Sequence, residues 1–135
     1  MLETIEKSID LPKDYWKCAA SELENKSDVL SDTSVIVVAG GDGTILRIVR
    51  VIAAYGIPMV GINMGRVGFM AEIRVEDVIE KLPDYLNDGL RVEERMMLET
   101  TVLGPSDSEP RLTLHALNEV VVGRAGVSGL LDIET

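Results

Sequence analysis

The run Val35-Ile36-Val37-Val38-Ala39, followed at once by Gly40-Gly41-Asp42-Gly43-Thr44, constrains the fold more than any other feature of this sequence. A β-branched run of this kind is typical of a strand buried on both faces. After the glycines, Ile45, Leu46, Ile48, Val49 and Ile52 recur at helical spacing, while Arg47, Arg50 and Ala54 fall on the opposite face. Gly56 is expected to stop that helix in the left-handed conformation. A second short strand over residues 58–62 then empties into Asn63-Met64-Gly65-Arg66-Val67-Gly68. Strand, helix and strand in this order predict a βαβ unit with parallel strands and a right-handed crossover. The fold class is α/β.

The flanking segments are read from their periods. Residues 2–31 are expected to be helical and acidic, broken at Leu11-Pro12, with Tyr15, Trp16, Ala19, Ala20 and Leu23 as an apolar stripe. A helix is expected over residues 75–87, kinked or split by Pro83. Beyond Gly89 the period changes to two. Val92, Met96, Leu98 and Val102, then Leu112, Leu114, Ala116, Val120 and Val122, predict two long antiparallel strands across the turn-rich residues 104–110. A third strand is expected over residues 130–135. A strand still running at Thr135, in a sheet of only three strands, gives the expectation of a chain cut inside a domain. The organisation expected is an α/β domain over residues 1–90 and the opening of an all-β domain over 91–135.

Composition narrows the function. The chain has 135 residues, 46% of them hydrophobic, which supplies enough apolar surface for a folded core and excludes disorder. The longest uncharged stretch, residues 51–65, falls short of the roughly 18 residues a membrane span needs. Residues 1–16 mix charges with short apolar pieces, unlike a secretory signal. One cysteine, Cys18, cannot form an internal disulfide, and this fits a cytoplasmic protein. With a single histidine, His115, zinc ribbons and His-rich metal sites are excluded, so no resident metal ligands are expected. Serine-hydrolase and cysteine-protease constellations have little to work with. A net charge of −10 argues against nucleic acid and anionic membrane as partners. The acidity spares residues 34–73, where Arg47, Arg50 and Arg66 outnumber Asp42 and Glu72. Such a window suits an anionic ligand.

The glycine loop has two readings. Glycines between a strand and a helix let an anion approach backbone amides, and the helix adds its positive end, with Arg47 in the first turns. Alternatively, Asp42 simply caps the helix in a tight turn. The residues leave these two readings level. Two familiar phosphate motifs are absent. No lysine lies between Lys26 and Lys81, so there is no P-loop lysine. Leu46 occupies the third glycine position of the dinucleotide fingerprint, and Asn63 stands where its acidic residue belongs. The second glycine loop leaves the adjacent parallel strand, so both loops open on one sheet edge, where α/β folds bind ligands. Phe69, the only phenylalanine, either stacks on a base or fills the core. Asn118, placed by alternation with Leu114, Ala116 and Val120, is expected to be buried and to need a partner. His115, on the other face, is expected to be exposed.

Taken together, Gly-Gly-Asp-Gly-Thr at 40–44, Asn-x-Gly-x-x-Gly-Phe at 63–69 and Asn-Glu at 118–119 resemble the NAD kinase family. The text at 56–63 and 91–99 is also similar, and the likeness covers about residues 34–135. Gly-Gly-Asp-Gly alone is shared with phosphofructokinases, diacylglycerol kinases and sphingosine kinases; the later motifs are more specific. The resemblance implies transfer of the γ-phosphoryl group of ATP, with Mg²⁺ or another divalent ion, to the adenosine ribose 2′-hydroxyl of NAD. It implies that Asp42 accepts the hydroxyl proton, with Gly43 beside it at the NAD site. Gly40 and Gly41 would line the phosphate loop, Arg47 would assist nucleotide binding, and Thr44, Asn63 and Gly65 belong to the same motifs. Phe69 would lie against the adenine, and Asn118 and Glu119 would hold the nucleotide. A homo-oligomer is implied for the full-length protein.

The family's later Gly-Asp-Gly and Thr-Gly-Ser-Thr segments do not occur before Thr135. Gly129 stands where relatives carry a basic residue, and the family's opening strand is not evident in residues 1–33. The expectation is therefore the front part of such an enzyme, with little turnover by itself. The alternatives are a truncated nucleotide-binding product, or a lipid or sugar kinase of the same superfamily. Lipid kinases would follow the second strand with a Pro-x-Gly-Thr-x-Asn-like segment, which residues 63–69 do not match.

Overall fold

The computed structural model describes residues 2–65, 68, 70–87 and 91–123. Its elements run, in chain order, α1 (Leu2–Ser8), α2 (Ser27–Leu30), β1 (Ile36–Gly40), α3 (Asp42–Ile52), β2 (Met59–Asn63), β3 (Ile73–Arg74), α4 (Val78–Leu86), β4 (Leu98–Val102) and β5 (Leu112–Ala116). The chain divides into two compact units, Met1–Glu94 and Arg95–Thr135.

The first unit is a parallel three-stranded sheet in the order β1-β2-β3. β1 and β2 pair from Ile36↔Met59 to Gly40↔Asn63, so the two glycine loops leave the sheet at the same level. Each face of β2 is covered. Val60 and Ile62 pack with Ile5 and Ile9 of the N-terminal segment and with Ile73, Val78 and Leu82. On the opposite face Gly61 meets Ile45 of α3, where a Cβ would sit 3.0 Å from the Ile45 Cδ1. α3 buries Ile45, Ile48, Val49 and Ile52 and exposes Arg47 and Arg50, as its apolar spacing predicts. Gly56 follows a 3₁₀ turn (Ala53–Tyr55) at φ 63° and ψ 26°, the left-handed position expected of it.

The N-terminal expectation needs correction. Helix is confined to α1, α2 and a short 3₁₀ turn at Leu23–Asn25, and the stripe from Tyr15 to Ala20 is irregular. The reason lies in what the segment must cover. Ile5 and Ile9 belong to the core on one face of the sheet, whereas the turn holding buried Leu23 packs against α3 on the other. One straight helix cannot serve both faces. The crossing segment is pinned by a Lys17–Glu6 ion pair at 2.6 Å and by Trp16 Nε1 donating to Thr33 Oγ1 at 3.2 Å.

Pro83 neither splits nor ends α4, which continues to Leu86. The carbonyl left without its helical donor is that of Ile79, an exposed residue, so water can take the amide's place. The two-residue strand β3 has no sequence signal. The described part of the second unit contains an antiparallel hairpin, registered from Leu98↔Ala116 to Val102↔Leu112. Both strands are five residues long, shorter than expected. One face carries Leu98, Val102, Leu112 and Leu114, each between 43% and 50% exposed. The other face pairs exposed His115 with Glu99 at 3.1 Å. The expected strand over residues 130–135 lies outside the described residues.

Candidate functional site

The site is built where β1 gives way to α3. Gly41 is the N-cap residue, extended at φ −101° and ψ −177°, and its carbonyl accepts the amides of Thr44 (2.9 Å) and Ile45 (3.2 Å). The amides of a helix's first turn have no acceptor within the helix and face outward with its positive dipole end. Among the described glycines only Gly56 has positive φ, so the glycines of this loop provide room rather than an unusual backbone angle. Nothing lies within 4 Å of a Cβ built on Gly41 or Gly43, whereas one on Gly40 would sit 2.7 Å from the Thr44 side chain. Gly40 therefore lets Thr44 close over the end of β1, and the open faces of Gly41 and Gly43 border a concavity. That concavity, about 470 Å³, is lined by Ala20, Gly41, Gly43, Thr44 and Arg47.

Asp42 is not a capping residue. The N-cap place is taken by Gly41, and the half-buried Asp42 carboxylate reaches the second loop. Its Oδ1 accepts the backbone amide of Met70 at 3.3 Å. The second loop is anchored at both ends. Met64 donates its amide to the Gly40 carbonyl at 3.3 Å, and buried Asn63 accepts the Gly65 amide through Oδ1 at 3.0 Å. On the return, Glu72 accepts the Gly61 amide at 2.7 Å through Oε2 and donates its own amide to the Gly61 carbonyl at 3.0 Å.

Of the expected site residues, Gly41, Gly43, Thr44 and Arg47 thus share one concavity, with Gly40 beneath it and Asp42 linking it to the loop begun by Asn63 and Gly65. Phe69 lies outside the described residues, as does Gly129. Asn118 and Glu119 follow β5 rather than lying inside a long strand, and both are exposed. The expected burial of Asn118 is therefore corrected: pairing ends at Ala116, so alternation no longer governs where residue 118 points. Ala20 and the Met70 amide had no sequence signal, because one is a small residue in an irregular segment and the other is backbone. Gly68 was already marked by the spacing of the second motif.

Among the described residues no cluster of three or more His, Cys, Asp or Glu side chains is placed to hold a metal. No helix among them is long and apolar enough to cross a membrane.

The fold and the site together define an α/β domain whose two glycine loops stand at the carboxyl edge of a parallel sheet, the edge at which this class binds ligands. Comparison with known proteins gives the family. The profile of the ATP-NAD kinase N-terminal domain matches residues 7–90. An NAD kinase of Cupriavidus pinatubonensis is 44% identical over 119 residues, covering 88% of this chain and 36% of that protein. An NAD kinase of Natranaerobius thermophilus is 42% identical over 110 residues, covering 81% and 38%. One from Moorella thermoacetica is 44% identical over 95 residues, covering 70% and 30%. The chain belongs to the NAD kinase family, and it spans about a third of the length of the relatives it matches.

Proposed function

We propose that this chain carries the phosphate loop and the proton acceptor of an enzyme that makes NADP from NAD and magnesium-bound ATP. The observation that carries the reading is the division of labour at the start of α3. Gly41, Gly43, Thr44 and Arg47 open onto one concavity, while Gly41 holds the N-cap place and the Asp42 carboxylate accepts the Met70 amide of the second loop. The first group suits a phosphate chain, and Asp42 suits a hydroxyl that must lose a proton.

In the proposed reaction the ribose 2′-oxygen forms a bond to the γ-phosphorus, the bond to the β,γ-bridging oxygen breaks, and ADP leaves. The hydroxyl proton passes to Asp42. A carboxylate is far too weak a base to ionise an alcohol beforehand, so the transfer accompanies formation of the phosphorus–oxygen bond. Such assistance is worth roughly 10²- to 10⁴-fold, and the remaining acceleration comes from alignment and charge neutralisation. The divalent ion enters with ATP as part of the substrate.

The further assignments in this reading follow the family resemblance. Asn63 and Gly65 shape the second loop, Phe69 lies against adenine, and Asn118 and Glu119 hold the nucleotide. Residues 1–90 act as the nucleotide-binding domain and residues 91–135 open an all-β domain that contributes to the NAD site. A cytoplasmic, homo-oligomeric enzyme of the relatives' length completes the reading.

The test is a titration of the 135-residue chain with magnesium ATP, followed by amide NMR. Gly41, Gly43 and Thr44 are expected to shift together, and Arg47→Ala is expected to weaken the response severalfold. Shifts confined to other residues, or an Arg47→Ala chain that responds like the original, contradict the assignment.

A further inference from the structure

Gly68 lies 26 residues from Asp42 in sequence yet in contact with it in space. A Cβ built on Gly68 would sit 2.2 Å from the Asp42 Oδ1, 2.7 Å from its Cγ and 2.8 Å from its Oδ2. All three atoms belong to the carboxylate group. Two residues further on, the Met70 amide donates to the same Oδ1. The second loop therefore meets Asp42 in two ways at once. A surface without a side chain lets the carboxylate lie flat against the backbone, and an amide beyond it fixes one oxygen. Gly65, in the same loop, has open space where its Cβ would be, so close approach is a property of Gly68 and not of the loop's glycines in general.

We propose that Gly68 is a positioning residue for Asp42: its missing side chain keeps the carboxylate against the second loop, in register with the Met70 amide. This inference rests on the role proposed above for Asp42. Any side chain at position 68 must push the carboxylate away or displace the loop, because a Cβ–oxygen separation of 2.2 Å is far inside contact distance. The sequence spacing between the two motifs thus acquires a physical meaning. The glycine that ends the second motif is the seat of the aspartate in the first.

The test compares the 135-residue chain with its Gly68→Ala and Gly65→Ala variants by NMR. Gly68→Ala is expected to move the ¹³C resonance of the Asp42 carboxyl and to speed hydrogen exchange at the Met70 amide roughly tenfold, as loss of a hydrogen bond to a charged group implies. Gly65→Ala should do neither, and the amides of Val38 and Ile62 should stay protected throughout. Unchanged signals in Gly68→Ala, or equal changes in Gly65→Ala, overturn the inference. If Gly68→Ala unfolds the chain, adding Asp42→Ala should restore folding by removing the atoms that the new methyl meets; failure to restore it overturns the inference as well.

Turnover in a protein of the relatives' length supplies the second reading. There Gly68→Ala should lower kcat for NADP formation about tenfold or more while the KM for ATP stays within about twofold. It should add nothing to Asp42→Asn. Uncoupled signals in the NMR comparison overturn the seat while leaving the role of Asp42 standing. NADP formation indifferent to Asp42→Asn overturns that role even where the coupling survives.

Discussion

Asp42 shows how one side chain can be read in two ways until its neighbours are known. An aspartate at the start of a helix is most often a cap, and the sequence places Asp42 where a cap would stand. Gly41 takes that position instead, and the carboxylate reaches a residue 28 positions away. The glycines around it divide by the space they occupy, which yields a paired prediction. Gly40→Ala should cost about 1–3 kcal/mol in chemical denaturation, since its Cβ would press on Thr44. Gly43→Ala should leave stability within about 0.5 kcal/mol and weaken nucleotide binding, since it fills open space beside the concavity. Equal destabilisation by both would contradict the division. Cys18 belongs to the same scale. Burial, assisted by nearby Glu22, raises the pKa of its thiol. Alkylation at neutral pH should therefore run slower than for free cysteine and accelerate as pH rises. A rate at or above that of free cysteine would show the thiol to be more exposed than the structure has it.

At the scale of elements, what the sequence made legible was whatever a period controls. β1, α3 and β2 were readable because a buried strand and an amphipathic helix impose spacings that survive without neighbours. Ile45, Ile48, Val49 and Ile52 face inward as their spacing requires. β3 was not readable, since two residues paired to Ile62 and Asn63 have no period. The N-terminal helix was overextended because an apolar stripe does not reveal that its two ends serve opposite faces of a sheet. Asn118 was misplaced for a related reason: alternation predicts burial only as far as pairing lasts. Two substitutions test this level. Ile45→Ala removes a side chain with 0% exposure from between α3 and the sheet and should cost about 2–5 kcal/mol. Gly56→Ala, at φ 63°, should cost about 1–2 kcal/mol through left-handed strain alone. Urea denaturation reads both, and a neutral Gly56→Ala would mean the helix ends differently.

At the scale of the whole molecule, two compact units, a parallel sheet with the candidate site residues Gly41, Asp42 and Gly43 at its edge and a −10 charge that spares residues 34–73 belong to a chain spanning about a third of its relatives' length. The central claim is that Asp42 accepts the proton in phosphoryl transfer to NAD. It is tested most directly by replacing the matching segment of the Cupriavidus pinatubonensis NAD kinase with residues 1–135 and measuring NADP formation from NAD and magnesium ATP, with and without Asp42→Asn. The hybrid is expected to form NADP, and Asp42→Asn to slow it by roughly 10²- to 10⁴-fold with nucleotide binding retained. A hybrid that turns over at the same rate with Asn at position 42 would contradict the central claim.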